Sequence, residues 1–287
     1  MTLPPMRSWL YAPGNNAKLL ERVFTVGADA VILDLEDAVP PGEKLRARSM
    51  VAEAVRSRAG HQRPAVFVRV NHPDTGLAES DVKAVVGPGL DGLRVPKVES
   101  ADTVAAITRW SGGGIPLVCN IESAAGVWHA GDIASASPDL LTLAFGSADF
   151  LRDVHGQATP EALETLHARS QLVLACRVSG LRAPVDGVYP QLVDDAGLEG
   201  TTRQSRALGF FGRSALHPRQ VPIINTVFTP SETEVAQARE VVSAASAAEK
   251  SGMGALRLPN GDFVDVAIVR HAQAILELDA ALQNRQD

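Results

Sequence analysis

Residues 30–48 read AVILDLEDAVPPGEKLRAR, and this stretch indicates the fold of the chain. Its first six residues are almost entirely apolar, which is typical of a strand buried on both faces of a parallel sheet. Acidic residues end the strand, and Pro41 is placed to open a helix that closes at Gly60. The stretch therefore predicts one buried strand followed by one helix.

The same alternation recurs as far as residue 216. Strands are expected at residues 8–12, 30–35, 65–70, 92–95, 117–121, 141–145, 185–188 and 212–216. Helices are expected at residues 15–26, 41–60, 77–86, 100–111, 124–136, 161–179 and 201–209. Eight strands that alternate with helices favour an α/β fold of the TIM (β/α)8 barrel type. A doubly wound sheet is the rival, but no glycine-rich dinucleotide fingerprint follows the first strand.

A further region follows the last strand. Ser231 and Glu234 form a capping-box signature for a helix that runs to about Lys250. Asn260 and Gly261 indicate a hairpin turn, and residues 267–283 have the apolar spacing of a final helix. We expect the barrel to occupy residues 1–228, and residues 229–287 to form a C-terminal helical extension and lid within the same structural unit.

The composition is that of a globular protein. The chain has 287 residues, 45% of them hydrophobic, and a net charge of −6. That charge gives no basic footprint for nucleic acid or for an anionic membrane, and no apolar run approaches the ~20 residues of a membrane span. The first residues lack the pattern of a secretory signal. Two cysteines in no metal or redox spacing predict buried thiols and a cytoplasmic protein.

Charged and polar residues follow the predicted strands. Catalytic groups of a barrel lie where strands end and the following loops begin. The residues at these positions are Asp34, Glu36, Asp37, Arg69, Asn71, Lys97, Glu122, Asp149, Asp186 and His217. Burying so many charges at one mouth costs free energy unless they pair or bind a ligand. We therefore expect the functional site there.

Two carboxylates of this set suggest a metal site. Glu122 and Asp149 follow successive strands in the short contexts NIES and FGSAD. Oxygen ligands of this kind suit Mg²⁺, and they leave coordination positions for water and substrate. The alternative is that each carboxylate caps the helix that follows it, because acidic side chains favour helix N-termini.

Two cations belong to the same set. Arg69 ends the strand FVRVN, where its guanidinium could grip a carboxylate with two nitrogens, or could instead pair with Glu36 or Asp37. Lys97 could balance the acids or act as a Schiff-base lysine, but a lysine among several carboxylates normally stays protonated.

Seven motifs in this order are similar to one family: RSWLYAPGNN, GADAVILDLEDAVPPGEKLRAR, FVRVN, VPKVES, NIESAAGV, FGSADF and HPRQV. The chain resembles the citrate lyase β-subunit-like group of acyl-CoA lyases, which includes malyl-CoA and citramalyl-CoA lyases. The resemblance extends from residue 7 to about residue 275. It implies a TIM barrel, a homotrimer, bound Mg²⁺, and cleavage or formation of a carbon–carbon bond beside a thioester.

The resemblance also implies roles for individual residues. Glu122 and Asp149 would hold Mg²⁺, Arg69 would bind the carboxylate of the 2-oxo acid, and Glu36 and Asp37 would orient metal-bound water or substrate. The residues that would meet the substrate or the coenzyme A phosphates are Arg7, Asn15, Lys44, Arg48 and Lys97.

A C-terminal acid completes the implied set. In relatives, a glycine followed by a hydrophobic–Asp pair brings an acid over the site of the next subunit. The segment 261–265, GDFVD, matches this pattern and makes Asp265 the candidate acid/base, although Val266 and Ala267 follow it where relatives have a proline. Asp265 would protonate the thioester enolate that cleavage leaves.

Four functions remain open at this point. The first is an Mg²⁺-dependent lyase that splits a 3-hydroxyacyl-CoA into acetyl-CoA and a 2-oxo acid such as pyruvate or glyoxylate. The second is a citrate lyase β subunit that converts citryl-acyl carrier protein to oxaloacetate. The third is a malyl-CoA thioesterase or malate-synthase-like enzyme, and the fourth is a metabolite-binding regulator without turnover.

Overall fold

The computed structural model describes residues 3–61, 63–250, 256–257 and 263–283. The chain divides into two compact units, one formed by Met6–Val227 and the other by Met1–Pro5 with Phe228–Asp287. Of the described helices, none is both long enough and apolar enough to cross a membrane.

The larger unit is built on one parallel sheet. Its strands are β1 (Ser8–Pro13), β2 (Ala30–Asp34), β3 (Ala65–Arg69), β4 (Gly92–Val95), β5 (Leu117–Ile121), β6 (Leu140–Phe145) and β7 (Arg213–Ala215). The order β6-β5-β4-β3-β2-β1-β7 follows the chain from β6 back to β1 and then places β7 beside β1. The result is a curled half-barrel with the carboxyl ends of all strands at one edge.

Helices connect the strands. They are α1 (Ala17–Arg22), α2 (Lys44–Ser57), α3 (Ala78–Val85), α4 (Ala101–Ser111), α5 (Ala124–Trp128), α6 (Ala130–Ala134), α7 (Ser147–Asp153), α8 (Leu166–Val178), α9 (Asp195–Leu208) and α10 (Gln220–Phe228). Short polar side chains begin several of them. Asn16 Oδ1 accepts from the Leu19 amide, and Ser100 and Ser123 cap α4 and α5 in the same way.

Burial on both faces explains the apolar strands. Every residue of β2 and β5 is buried, and the rings of Trp9 and Phe67 meet with centroids 4.8 Å apart in the core. Cys119 and Cys176 are free and buried, as predicted. Burial raises the pKa of the Cys119 thiol to about 12 and also raises that of Cys176.

The strand predicted at residues 185–188 is absent, so the sheet has seven strands where eight were expected. Val185 and Asp186 instead make isolated parallel bridges to Ala144 and Arg213. The Val185 amide donates to Leu143 O at 2.9 Å, and the Asp186 amide donates to Gly212 O at 2.9 Å. Prolines at 184 and 190 lack the amide hydrogen of a ladder and keep this segment short.

The helices also differ from the prediction. The helix expected at residues 124–136 is divided at His129 into α5 and α6. Helix α9 begins at Asp195 and not at residue 201, because Asp194 Oδ1 accepts from the Gly197 amide at 2.9 Å and caps a first turn whose glycines disfavour helix. Helices α7 and α10 were not predicted. Helix α7 has only seven residues, too few for a periodic apolar pattern.

The smaller unit contains α11 (Glu232–Lys250), β8 (Leu256–Arg257), β9 (Phe263–Val264) and α12 (Val266–Gln283), and α11 packs against α12. The predicted capping box is confirmed, since the Ser231 amide donates to Glu234 Oε2 at 2.7 Å and the Glu234 amide donates to Ser231 Oγ at 3.2 Å. Strands β8 and β9 pair antiparallel. The predicted turn at Asn260 and Gly261 lies outside the described residues.

Candidate active site

A cavity of about 280 Å³ lies at the carboxyl ends of the strands. Residues at or near the ends of all seven strands β1–β7 line it, together with residues of the following loops. Its polar wall contains Tyr11, Asp34, Arg69, Arg94, Asn120, Glu122 and Asp149. The structure therefore brings Arg69, Glu122 and Asp149 of the predicted set to one cavity.

Arg69 is held by a two-pronged ion pair. Its Nε and Nη2 donate to the two carboxylate oxygens of Asp34, each at 2.6 Å, and Nη1 lies 2.9 Å from Glu36 Oε2. Burial alone would lower the pKa of Arg69, but Tyr11 and the carboxylates of Asp34 and Glu36 raise it well above its ordinary value. Arg69 is thus a fixed cation, and its terminal nitrogens each retain a hydrogen for a ligand carboxylate.

Glu36, Asp37 and Lys97 form a cluster beside Arg69 that does not line the cavity. Lys97 Nζ contacts Glu36 Oε1 and lies 3.1 Å from Asp37 Oδ1. Burial would lower the pKa of Lys97, but these two carboxylates raise it, so the lysine stays protonated and is unsuited to Schiff-base chemistry.

The two acids of this cluster shift in opposite directions. Burial raises the pKa of Glu36 despite the nearby Arg69 and Lys97. Burial also opposes ionisation of Asp37, but its hydrogen bonds with Glu36 and Lys97 outweigh that effect and lower its pKa.

Glu122 is almost fully buried and fixed at both oxygens. Oε1 accepts from the Lys97 amide at 2.7 Å, in a turn where Lys97 has a φ of 51°, and Oε2 accepts from Asn120 Nδ2 at 3.4 Å. Burial raises the pKa of Glu122, and the negative charge of Asp149 raises it further. A side chain at Gly146 would put its Cβ 2.3 Å from Glu122 Oε2, so only glycine leaves room for this carboxylate.

Asp149 lies in the first turn of α7 and is more open to solvent than Glu122. Its Oδ1 lies 2.8 Å from Nη2 of Arg152, one turn later on the same helix. Among the residues that the structure describes, no group of three or more His, Cys, Asp or Glu side chains is arranged to hold a metal ion. Glu122 and Asp149 could therefore supply two ligands of an ion whose remaining ligands are water or substrate oxygens.

The residues predicted to meet coenzyme A do not line this cavity. Lys44 Nζ donates to the carbonyl oxygens of Leu35 and Glu36 at 2.8 and 2.7 Å, and so holds the loop after β2. Asn15 Nδ2 donates to Glu43 Oε2 at 2.7 Å, and Arg48 Nε donates to the buried Asp81 at 2.6 Å.

Arg7 is placed elsewhere. It precedes β1, at the amino ends of the strands, and its Nε and Nη2 lie 2.8 and 3.0 Å from the carboxylate oxygens of Asp29, which precedes β2. Because the strands are parallel, this ion pair lies at the opposite edge of the sheet from Arg69 and Glu122. The structure therefore does not bring Arg7 together with Arg69 and Glu122.

Arg94 and Asn120 also belong to the site, although neither was predicted from the sequence. Arg94 is buried on β4, where Nε donates to Asn120 Oδ1 at 2.8 Å and Nη2 donates to Ser214 Oγ at 3.1 Å. The signal was present, because a cation within the four-residue buried strand GLRV requires polar partners inside the fold. Asp34 was noticed only as a strand end, and its pairing with Arg69 was not foreseen.

Asp265 belongs to the smaller unit. Its carboxylate is exposed, and Oδ1 accepts from the Ile268 amide at 3.0 Å at the start of α12. The preceding Gly261 and Asp262 of the predicted lid motif lie outside the described residues.

The buried Glu122 makes stability depend on pH. Its folded pKa exceeds that of the unfolded chain, so its contribution to stability is present below the ordinary glutamate pKa of about 4.3 and is lost as pH rises through the folded value. We predict that Glu122→Gln raises the Tm of the metal-free protein at pH 8 and that the gain shrinks toward pH 4. Scanning calorimetry in chelator tests this, with the exposed Glu79→Gln as control, and an equal gain at both pH values would contradict it.

Comparisons with known proteins identify the family of the chain. The family model described as HpcH/HpaI aldolase/citrate lyase matches residues 7–218. A citrate lyase subunit beta-like protein of Deinococcus radiodurans is 38% identical, with 98% of this chain and all of that protein covered. An L-malyl-CoA/beta-methylmalyl-CoA lyase of Cereibacter sphaeroides is 37% identical, with 95% of this chain and 94% of the enzyme covered.

A solved structure shares the fold over nearly the whole length. It is the protein CitE of Mycobacterium tuberculosis in complex with magnesium, acetoacetate and coenzyme A, with a TM-score of 0.81 and 27% identity over 97% of this chain and 99% of that one. The sequence matches extend over most of the chain and include every strand of the sheet. The chain therefore belongs to the HpcH/HpaI aldolase/citrate lyase family.

Proposed function

We propose that the protein is an Mg²⁺-dependent carbon–carbon lyase that cleaves or forms a 3-hydroxyacyl-CoA, such as malyl-CoA or citramalyl-CoA, with acetyl-CoA and a 2-oxo acid as the other partners. The observation that carries the proposal is the convergence of Glu122, Asp149 and Arg69 on one cavity. A similar structure binds magnesium, acetoacetate and coenzyme A, and a similar protein is a malyl-CoA lyase, which supports this substrate class.

The donor set fits Mg²⁺. Burial and the negative charge of Asp149 both raise the pKa of Glu122, so Glu122 gains from a cation held between the two carboxylates, and it forms no ion pair with a side chain of the described residues. Glu122 and Asp149 would hold the ion, which supplies charge neutralisation at the hydroxyl and oxo oxygens of the substrate. No Schiff base is required.

Arg69 would orient the substrate. The Asp34 and Glu36 carboxylates fix its guanidinium, so a substrate carboxylate meets a preorganised cation and its binding requires little reorganisation. This contact would align the bond between C2 and C3 of the hydroxyacid for cleavage.

Asp265 would act as the acid/base. The thioester enolate left by cleavage needs a proton at carbon, and in the condensing direction the same carboxylate would remove it. We propose that Asp265 serves the site of a neighbouring subunit in a homotrimer, with residues 229–287 as the lid. Its exposed position at the start of α12 supports this role.

We further propose that the larger unit closes as a full (β/α)8 barrel. Val185 and Asp186 would occupy the remaining strand position, because their backbone atoms hydrogen-bond toward β6 on one side and β7 on the other. Two free buried thiols are typical of a reducing compartment, and we propose the cytoplasm as the location.

A citrate lyase β subunit is the second candidate, favoured by the 36% identity to the citrate lyase subunit beta of Haemophilus influenzae. In that case the thioester would be carried by an acyl carrier protein and the product would be oxaloacetate. The lyase site would be the same, so the carrier of the thioester distinguishes the two functions.

The test is product analysis with a panel of malyl-CoA, citramalyl-CoA and citryl-acyl carrier protein, each with Mg²⁺ and with chelator. We expect chelator-sensitive release of acetyl-CoA with glyoxylate or pyruvate. Turnover of citryl-acyl carrier protein alone would favour the second candidate, free coenzyme A without a 2-oxo acid would indicate a thioesterase, and no turnover of any substrate would contradict both lyase functions.

Arg69→Lys should lower kcat/KM by about 100-fold or more, because an ammonium cannot make the two-pronged contact that positions the substrate. Metal affinity should change little. Steady-state kinetics together with Mn²⁺ titration test this, with the exposed Arg203→Lys on α9 as control. Activity near that of wild type would contradict the assigned role of Arg69.

Asp265→Asn should lower kcat by at least about 100-fold while Mn²⁺ binding is retained, since proton transfer to carbon is lost and the ligands are not touched. Asp279→Asn, on the same helix α12, is the matched control because Asp279 accepts a hydrogen bond from Gln283 of its own helix. If both variants turn over at the same rate, Asp265 is not the acid/base.

Arg152→Gln should tighten Mn²⁺ binding by up to about fivefold. Arg152 competes with the metal for Asp149 Oδ1, and an exposed ion pair of this kind contributes about 0–1 kcal/mol. Calorimetric titration of the metal into wild type and variant measures the change. Weaker binding in the variant would show that Arg152 assists the site.

A further inference from the structure

Arg94 is a buried cation that does not pair with a carboxylate directly. Its Nε and Nη2 donate to Asn120 Oδ1 and Ser214 Oγ, at 2.8 and 3.1 Å, and the buried Nη1 has no hydrogen-bond partner among the described residues. The guanidinium also lies over the ring of Tyr11, 5.4 Å from its centroid. Burying an incompletely hydrogen-bonded cation costs free energy, which indicates that Arg94 has a role in the cavity beyond packing.

The contact with Asn120 fixes which end of the amide faces Glu122. A guanidinium only donates hydrogen bonds, so Nε of Arg94 must meet the oxygen of the Asn120 amide and not its nitrogen. The amide nitrogen is thereby turned toward Glu122, where Nδ2 lies 3.4 Å from Oε2. Reversing the amide would set two donors against each other at Arg94.

Glu122 is then held from two sides. The Lys97 amide holds Oε1, and the Asn120 amide, itself oriented by Arg94, holds Oε2. Groups that orient a metal ligand in this way typically change metal affinity by ~10–100-fold when they are removed.

We propose that Arg94 is a positioning residue for the divalent cation, acting through Asn120 on the carboxylate of Glu122. This inference rests on the proposed metal site. It assigns a function to a buried charge that neither binds the metal nor needs to touch the substrate.

A positioning role and a purely electrostatic role of Arg94 predict opposite changes in metal affinity when Arg94 is removed. Arg94 is a positive charge near Glu122, so as a charge alone it repels a cation and its removal should tighten metal binding. As a positioning residue it prepares the ligand, and its removal should weaken metal binding. The direction of the change therefore separates the two roles.

The experiment is titration of Mn²⁺ into substrate-free, full-length protein, followed by the paramagnetic resonance of the free ion. We expect Arg94→Met and Asn120→Leu each to weaken Mn²⁺ binding about tenfold, and the double variant to weaken it by about the same factor, because both changes break one path. Ser214→Ala, which removes the other hydrogen bond of Arg94, should stay within about twofold of wild type.

Asn120→Leu leaves the buried charge in place, so the path can be tested even if Arg94→Met does not fold. A Tm measured in chelator separates loss of stability from loss of metal affinity.

Three results would overturn the path. They are tighter or unchanged Mn²⁺ binding in Arg94→Met, multiplicative losses of Mn²⁺ affinity in the double variant, and a loss of Mn²⁺ affinity in Ser214→Ala equal to that in Asn120→Leu. A wild-type protein that binds no Mn²⁺ would overturn the proposed metal site itself, and the path with it.

Discussion

The ion pair between Asp34 and Arg69 is the interaction on which the rest of the site depends. The two residues are register partners at the ends of β2 and β3, and Arg94 is the next partner on β4, so one acid and two cations lie side by side across three strands. Charges in such a row cannot be buried singly at tolerable free energy. The pairing fixes Arg69, and Arg69 in turn contacts the carboxylate of Glu36.

The site nevertheless retains negative charge that its own side chains do not neutralise. Lys97 pairs with Glu36 and Asp37, and Arg69 pairs with Asp34 and Glu36. Glu122 is held by amide groups, and Asp149 pairs with one exposed arginine. Burial raises the pKa of Glu122 in the metal-free protein, and the ionised carboxylate is therefore a cost in stability at neutral pH. A bound cation would remove that cost, so the instability and the proposed function have the same physical origin.

Much of this could be predicted because it depends on local pattern. The bounds of β4 and β5 were predicted correctly from their apolar runs. The parallel order of the strands brings Glu122 and Asp149 to one cavity, as expected. The strand predicted at residues 185–188 is absent because flanking prolines limit the hydrogen-bond ladder, and a count of apolar residues does not take those prolines into account. Arg7 pairs with Asp29 at the amino ends of the strands, and a motif does not reveal the end of a strand at which a side chain pairs. Arg94 was missed because its partners lie on β5 and β7, far away in sequence.

The central claim is that Glu122 and Asp149 hold a divalent cation beside the Arg69 guanidinium. Anomalous diffraction from crystals soaked with Mn²⁺ and a 2-oxo acid tests it most directly. The account predicts one strong peak about 2.0–2.3 Å from an oxygen of each carboxylate, with the carboxylate of the 2-oxo acid against Arg69. A fully occupied peak at other residues, or no peak in the cavity at saturating Mn²⁺, would contradict it.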